Sequence, residues 1–515
     1  MREFFYDKIT CPFCHGRGLP DGVFSHKDVH FRMETFFEDE ADLNDEGLSL
    51  EDIRRMPEGP AKARLMEQVR ENEPFLCRND DVYEKFWEEY DGTTEVAYGT
   101  DKKNLTFHPN LLPILNPSDP EHQRYLKAQR KAGGDARDDF FLYDGSGMVM
   151  GVVDIHGKET FRRVCPNCHN PLPVGYGKYE TKFISIIGVT SSGKTVFISQ
   201  LLKHIKRYAN FVDLTANFTS DHEPGFVSAN PVRYGEPLPR PTGRRSFAQP
   251  LFYDLVQDVG RDRNKTDTIV LYDIAGENCA DPQGMMKFGR FVTKSDGIIV
   301  LLDPMQLDLA RTAVAENEEE IPELEVVFNT IYNAFQEKKA DGKLTVPMAV
   351  CISKSDLIAD ILPEECRGRD IVPVRDPNSG EPVKKFNARE YNVLEDCLAT
   401  QMRNGTGQAV HGALRRQYKH FNYFAFSATG CGVEKGRDDL SYPVDTPEPL
   451  RIAEPLLWLF YKFGYIRSDV PIRIPVQRDI PNGREVKPTG PFAFLKKPTM
   501  RPLTEEEKER YWYEP

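Results

Sequence analysis

The segment GVTSSGKT at residues 188–195 constrains the fold of this chain more than any other feature. It matches G-x-x-x-x-G-K-[ST], with an apolar run before it and an amphipathic helical pattern after it. A loop of this kind turns its backbone N–H groups towards phosphate oxygens, and the helix N-terminus adds partial positive charge. The sequence therefore predicts a phosphate-binding loop between a strand and a helix.

Each polar position of the loop has an expected role. Lys194 is expected to reach the β- and γ-phosphates and to act in catalysis, and the Thr195 hydroxyl is expected to bind Mg²⁺. The remaining phosphate contacts would come from the loop itself, at Gly188, Ser191, Ser192 and Gly193.

Short apolar segments alternate with helical patterns from Lys182 onward: KFISIIG, TIVLYD, GIIVLLD, MAVCIS and YFAFSA. Strands without internal polar alternation, separated by helices, indicate a parallel sheet that is covered on both faces. We therefore expect an α/β domain over residues 181–467, with a mostly parallel sheet and long insertions at 209–265 and 357–420.

Two later motifs follow strands and suit a nucleoside triphosphate. In DIAGE, Asp273 would hold Mg²⁺ through water, and the Gly276 amide would meet the γ-phosphate. Glu277 comes next and would act in catalysis as a positioner of water, with a base or a brake on the reaction as alternatives. In SKSD, the Lys354 stem would pack on the base, and Asp356 would accept hydrogen bonds from guanine N1 and N2.

The last strand leads into SATG, where the backbone at Ser427 and Ala428 would contact guanine O6. Together, GVTSSGKT, DIAGE, SKSD and FSATG resemble, in order and placement, the motifs of the Ras-like, translation-factor-related (TRAFAC) class of P-loop GTPases. The resemblance covers roughly residues 180–465. With the CxxC-bearing front end, it is similar to the bacterial double-GTPase-type domains associated with multi-gene conflict systems.

Some positions depart from the family pattern. Ser353 stands where the family usually carries Asn or Thr, which implies a weaker tether to the phosphate loop. The resemblance also implies a threonine that caps Mg²⁺, and Thr242 is the candidate, with Thr215 and Thr219 as competitors. Nearby, Arg244 and Arg245 would be either an internal arginine finger or solvated surface charges.

Cysteine spacing predicts a separate metal site. Cys11 pairs with Cys14, and Cys165 pairs with Cys168, both in CPxC turns that suit tetrahedral, structural Zn²⁺. We therefore expect a zinc-ribbon-like region over residues 1–180, interrupted by an acidic and helical insertion at 25–160. His15 and His169 follow these turns as alternative ligands, and a redox-active CxxC is the competing interpretation.

The 515-residue chain carries a net charge of −13, which argues against direct nucleic-acid binding. The sequence has no apolar run of the roughly 18 residues that a membrane span needs. Its first residues lack the pattern of a signal peptide, so we expect a cytoplasmic protein. Residues 468–515 carry repeated prolines and are expected to form an extended arm.

The leading hypothesis is a Mg²⁺-dependent GTPase that binds GTP and GDP, carries structural zinc and responds to nucleotide state by changing its affinity for a protein partner. Hydrolysis would be slow without that partner. The alternative is a nucleotide-sensing scaffold with little hydrolysis. An ATP-driven remodelling motor is a third possibility, which the order of the motifs disfavours.

Overall fold

The computed structural model of the chain describes residues 7–17, 19–32, 37–76, 80–88, 106–107, 141–153, 158–188, 192–219, 222–240, 247, 250–258, 264–279, 284–285, 290–307, 309, 324–335, 337–405, 407–474, 484–486 and 499–504. The chain divides into two compact units, residues 1–181 and residues 182–515. Among the described residues, no helix combines the length and the apolar character that crossing a bilayer would require.

The described residues of the first unit form short strands and three helices. Its strands are β1 (His30–Arg32), β2 (Thr106–Phe107), β3 (Phe141–Tyr143), β4 (Val149–Val153), β5 (Glu159–Thr160) and β6 (Arg163–Val164), and its helices are α1 (Leu50–Arg55), α2 (Pro60–Asn72) and α3 (Asp81–Glu88). Strand β1 lies between β2 and β6, and β4 lies between β3 and β5, with antiparallel pairing throughout.

The helices of this unit begin where the sequence satisfies their first N–H groups. Ser49 caps α1 by accepting a hydrogen bond from the Asp52 amide at 3.2 Å, and Pro60 occupies the first position of α2, where no donor is needed. Their apolar faces meet in a small core of buried residues: Leu43, Ile53, Leu65, Val69 and Leu76. The segment that contains α1 and α2 is therefore a packed structure with a core of its own.

The second unit contains the main sheet. The strands are β7 (Glu180–Gly188), β8 (Leu214–Phe218), β9 (Pro250–Asp258), β10 (Asn264–Ala275), β11 (Gly297–Leu302), β12 (Lys339–Ala340), β13 (Lys343–Leu344), β14 (Met348–Ile352), β15 (Val374–Arg375), β16 (Pro382–Val383), β17 (Phe421–Ala425), β18 (Val433–Lys435), β19 (Ser441–Pro443), β20 (Arg484–Val486) and β21 (Thr499–Arg501). The helices formed by the described residues are α4 (Lys194–Phe211), α5 (His222–Ala229), α6 (Leu324–Ala334), α7 (Ala388–Asn404), α8 (Gln408–Gln417) and α9 (Glu454–Lys462).

Seven strands form the sheet in the order β17-β14-β11-β7-β10-β9-β8. Strands β7, β11, β14 and β17 run parallel to one another, whereas β9 is antiparallel to both β10 and β8. The register aligns the ends of the parallel strands, since Gly188 pairs with Leu301, and Leu302 pairs with Ile352. This confirms the predicted mostly parallel sheet.

Helices cover both faces of this sheet, as neighbouring residues of β17 show. The Phe424 ring lies 5.6 Å from the Trp458 ring of α9, while the Tyr423 hydroxyl lies 2.8 Å from His411 Nδ1 of α8. Successive side chains of a strand point to opposite faces, so the two helices lie on opposite sides. On the Phe424 side, α4 joins the core through Phe197, whose ring is 4.6 Å from Phe426.

Both segments predicted as long insertions hold parts of the regular structure. The segment 209–265 contributes β8 and β9 to the main sheet, with α5 between them, and 357–420 contains α7 and α8. Asn387 caps helix α7, because its side chain accepts a hydrogen bond from the Glu390 amide. Asp469 also accepts a hydrogen bond from the Ala388 amide, at 2.7 Å.

Glu395 of α7 is a fully buried carboxyl group beneath β17. Burial is the largest cause of its raised pKa, about 8, and the nearby Asp396 carboxylate raises it further, while Arg473 and Arg403 oppose the shift. The unfolded chain loses this proton near pH 4.5, whereas the folded chain keeps it up to about pH 8. Folding stability therefore falls as the pH rises through this window, because the unfolded state binds fewer protons.

Replacing this group by its uncharged isostere should remove that pH dependence. We expect Glu395→Gln to raise the free energy of unfolding at pH 7 by roughly 2 kcal/mol, an advantage that grows between about pH 5 and pH 8. Urea unfolding at several pH values measures the difference. Glu434→Gln, at an exposed position of β18, is the matched control and should show no such trend. A difference that is constant with pH would contradict the prediction.

Candidate nucleotide site and cysteine cluster

The residues that flank the predicted phosphate-binding loop lie close together at the end of β7. A Cβ atom on Gly188 would lie 2.6 Å from Ser192 Oγ and 2.7 Å from Lys194 Cβ, so only glycine fits there. Gly193 precedes α4 with a left-handed φ of 73°, which glycine adopts without strain. The Ser192 hydroxyl is buried and has no hydrogen-bond partner among the described residues. These features suit a loop that surrounds an anion at a helix N-terminus.

The predicted phosphate lysine and the predicted magnesium aspartate lie together. Lys194 Nζ contacts Asp273 Oδ1, and the two side chains are 7% and 10% exposed. Strand β10, which carries Asp273, lies beside β7 in the sheet, and Thr195 follows in the first turn of α4. The sheet thus brings the DIAGE strand to the phosphate loop, and the ammonium compensates a carboxylate that is mostly removed from water.

The SKSD loop lies at the same edge of the sheet. It follows β14, which is separated from β7 by β11 alone, so the two loops are about 10 Å apart across the sheet. Lys354 Nζ lies 2.7 Å from Asp303 Oδ2, and Ser353 Oγ donates to the Leu302 carbonyl at 3.0 Å. Ser353 is therefore tied to the end of β11. Asp356 is half-buried in a short 3-10 turn, Ser355–Ile358.

The SATG loop is closed by its own hydrogen bonds. The Ser427 amide donates to the Leu450 carbonyl at 3.1 Å, and Ser427 Oγ accepts from the Gly430 amide at 2.9 Å. Because the Ser427 amide already donates to Leu450, the Ala428 amide is the candidate for the predicted contact with guanine O6. Gly430 has a φ of 68°, and a Cβ atom there would meet the Glu448 carbonyl oxygen at 1.7 Å.

Several predicted residues lie outside the described part of the chain: Ser191, Thr242, Arg244 and Arg245, together with the side chain of Glu277. Gly276 begins the 3-10 turn Gly276–Cys279 that follows β10. The competing threonine Thr215 is exposed on β8, three strands from β7, or about 14 Å across the sheet. That position disfavours Thr215 as the Mg²⁺ ligand, and Thr219 follows the same strand.

In the first unit, the two cysteine pairs converge although more than 150 residues separate them. Cys11 Sγ lies 3.7 Å from Cys168 Sγ, Cys14 Sγ lies 3.8 Å from Cys165 Sγ, and all four sulfurs lie within 4.8 Å of one another. Tetrahedral Zn–S bonds of about 2.3 Å place sulfurs about 3.8 Å apart. Burial raises the pKa of the Cys11 and Cys168 thiols, which disfavours their charged forms, and a bound cation would offset this by stabilising the thiolates. The four-cysteine cluster fits Zn²⁺.

The two CPxC turns have matching geometry. The Phe13 amide donates to Cys11 Sγ at 3.3 Å, and the Asn167 amide donates to Cys165 Sγ at 3.4 Å. Asn167 also joins the two turns, because its Nδ2 donates to Cys14 Sγ at 3.3 Å and to the Arg17 carbonyl at 2.6 Å. Donors directed at sulfur stabilise the charged thiolate form.

His169 is held by an acid outside the cysteine cluster. Its Nδ1 lies 2.8 Å from Asp80 Oδ1, and Asp80 also pairs with Arg32 at 2.9 Å. Burial alone would raise the pKa of Asp80, but His169, the Tyr83 amide and Arg32 together lower it to about 2. The four cysteines form the candidate ligand set without a histidine.

Sequence reasoning missed three of these residues. Asp303 stood in the motif LLDP, which was interpreted only as a strand. Asn167 and Asp80 gave no signal in the sequence, since their partners lie far away in the chain. A polar side chain at the end of a buried parallel strand is a signal that would have identified Asp303, because such strand ends line the ligand-binding edge.

Comparison with known proteins gives a family match within the second unit. A family model described as Double-GTPase 2 matches residues 182–376. The putative ESX-1 scaffolding and assembly protein SaeC of Mycolicibacterium smegmatis is 26% identical over 162 residues, which cover 29% of this chain and 40% of that protein. The matched region thus spans less than half the length of this curated relative.

The comparison with solved structures found similarities of low identity. One is Era in complex with MgGDPNP and part of 16S ribosomal RNA, with a TM-score of 0.23 and 12% identity over 57% of this chain and 59% of that chain. Another is the Ski7 GTPase-like domain of S. cerevisiae bound to GTP, with a TM-score of 0.25 and 12% identity over 61% and 56% of the two chains. The assignment rests on the family match: residues 182–376 belong to the double-GTPase type of P-loop GTPase domain.

Proposed function

We propose that this chain is a Mg²⁺-dependent guanine-nucleotide switch that binds and hydrolyses GTP. The observation that carries the proposal is the alignment of the strand ends. Gly188 of β7 is level with Leu301 of β11, and Ile352 of β14 is level with Ala425 of β17. The phosphate loop, the SKSD loop and the SATG loop therefore open at one edge, where α/β sheets bind ligands.

Different residues would bind the different parts of the nucleotide. Lys194 and the N-terminus of α4 would bind the phosphates, while Asp356 and the Ala428 amide would recognise guanine. Thr195 and Asp273 would hold Mg²⁺, which supplies charge neutralisation at the phosphates when bound. For this, Lys194 must exchange its contact with Asp273 for a phosphate, so nucleotide binding replaces one charge pair with another.

Glu277 and Thr242 complete the proposal as the water-positioning residue and the switch threonine. Glu277 follows β10, which lies beside β7, and Thr242 belongs to the segment before β9, which is separated from β7 by β10 alone. GTP would order these segments and hydrolysis would release them, and this change would alter affinity for a protein partner. The similarity to a relative described as a scaffolding and assembly protein supports a role in a bacterial multi-protein system.

We further propose that the four-cysteine cluster binds structural Zn²⁺. The spacing of the sulfurs and the amide donors around them support this assignment. The ion would close a loop of about 150 residues within the first unit. Because four protein ligands leave no open coordination position, the ion would stabilise this unit and take no part in catalysis.

A nucleotide-responsive scaffold with little hydrolysis is the second candidate. The description of the relative as a scaffolding and assembly protein favours it, and so does a carboxylate at 277 beside the expected γ-phosphate. The two candidates predict the same binding site and differ only in turnover.

Guanine recognition through Asp356 predicts a change in base preference. Wild-type protein should bind GTP at least tenfold more tightly than ATP, and Asp356→Asn should shift the preference towards xanthosine triphosphate, because the amide donates where the carboxylate accepts. Fluorescence titration with labelled nucleotides measures both. Asp360→Asn, in the turn that follows, is the control and should leave the preference unchanged. Equal affinity for ATP and GTP would contradict the assignment.

Single-turnover hydrolysis distinguishes the switch from the scaffold. We expect Lys194→Ala to abolish both GTP binding and phosphate release, and Glu277→Ala to lower phosphate release at least tenfold while GTP still binds. Lys203→Ala, an exposed substitution on the same helix as Lys194, should change neither. Tight GTP binding by the wild type without measurable phosphate release would favour the scaffold.

The zinc assignment predicts a stoichiometry of one ion per chain. Elemental analysis of purified protein should find one Zn²⁺, and Cys165→Ser should lose it and lower the melting temperature, because metal binding contributes to folding free energy. Cys397→Ser replaces a thiol outside the cluster and should retain the ion. Metal-free wild-type protein of unchanged stability would contradict a structural zinc site.

A further inference from the structure

The ammonium of Lys354 is anchored at a buried carboxylate. Lys354 Nζ lies 2.7 Å from Asp303 Oδ2, and the Asp303 side chain is 5% exposed. The other carboxylate oxygen of Asp303 accepts from the Met305 amide at 3.0 Å, which fixes its orientation. The Lys354 side chain is 37% exposed, but its partner is a carboxylate that is mostly removed from water and fixed by a further hydrogen bond, so the buried partner sets the geometry of the pair.

The residues on both sides of Lys354 are tethered as well. The Ser353 amide and hydroxyl both donate to the Leu302 carbonyl, at 2.9 and 3.0 Å, and the Ser355 amide donates to the Phe426 carbonyl at 3.0 Å. Between them, Lys354 has a φ of 51° and a ψ of 45°, a left-handed conformation that is unfavourable for lysine. Such a conformation persists where surrounding contacts determine it.

The pair also keeps the ammonium away from the base-recognition carboxylate. Asp356 follows Lys354 by two residues, yet the ammonium lies on Asp303, and Asp356 has no ion pair within the part of the chain that the structure describes. An anchored ammonium leaves the aliphatic stem in one place to form a face for the base. It also leaves the Asp356 carboxylate available as an acceptor.

We propose that Asp303 is a positioning residue for the base-binding loop: it holds Lys354 so that the lysine stem supports the purine and Asp356 remains free to recognise guanine. This inference rests on the proposed GTP binding. Asp303 and Ser353 tie the loop to the end of β11, a tether that makes up for the residue usually expected at 353. The affinity conferred by Asp303 should therefore depend on the base and not on the phosphates.

The test compares a ligand with a base and a ligand without one. Asp303→Asn should weaken GTP binding about five- to twentyfold and leave the affinity for inorganic tripolyphosphate unchanged, as measured by competition with a fluorescent GTP analogue and by calorimetry. A general structural defect would weaken both ligands. The control is Asp296→Asn at the opposite end of β11, where the carboxylate pairs with Lys338 at 3.3 Å, and it should weaken neither ligand.

A double-mutant cycle tests whether Asp303 acts through Lys354. Lys354→Met keeps an apolar stem without the ammonium, and in that background Asp303→Asn should cause no further loss of GTP affinity. An unchanged GTP affinity in Asp303→Asn, an equal loss for tripolyphosphate, or an undiminished effect in the Lys354→Met background would overturn the inference. Wild-type protein that binds tripolyphosphate and fails to bind GTP would overturn the proposed function itself.

Discussion

The aligned register of four parallel strands is the constraint on which the nucleotide site depends. Parallel strands place their carboxyl ends at one edge, and pairings such as Leu302 with Ile352 keep those ends level. The phosphate loop after β7 and the SKSD loop after β14 therefore open at the same edge, with only β11 between their strands, although about 160 residues separate them in the chain. Buried apolar side chains on both faces fix this register, since a one-residue slip would turn Ile299 and Leu301 away from their core.

A second set of contacts secures the segments outside the sheet. Arg451 is buried and pairs with both Glu390 and Glu454, while its amide donates to Asp370 at 2.9 Å. Asp370 in turn accepts from the Tyr208 hydroxyl at 2.8 Å, near the end of α4. The segment that contains β15 and β16 is thus attached to the helix that begins at the phosphate loop. Buried charges of this kind cost much to leave unpaired, so the contacts specify one arrangement.

In the first unit, the cysteine cluster and its polar contacts connect strands that are short. The strands formed by the unit's described residues are two to five residues long, so each strand pair contributes few backbone hydrogen bonds. The cysteine cluster supplies a fixed point, and polar contacts extend from it. Trp87 Nε1 of α3 donates to Asn170 Oδ1 at 3.0 Å, and Asp80 holds His169, so the helical insertion is joined to the second CPxC turn.

The sequence by itself determined the phosphate loop, the sheet class and the pairing of two CPxC turns. The loop and the turns follow from the local spacing of their residues. The sheet class follows from apolar runs that suit only a strand buried on both faces. Tertiary structure decided that Lys194 meets Asp273 and that Lys354 meets Asp303. It also decided that the predicted insertions contribute sheet strands and packed helices. Such contacts depend on which strands become neighbours and on where each strand ends, and no local pattern records either property.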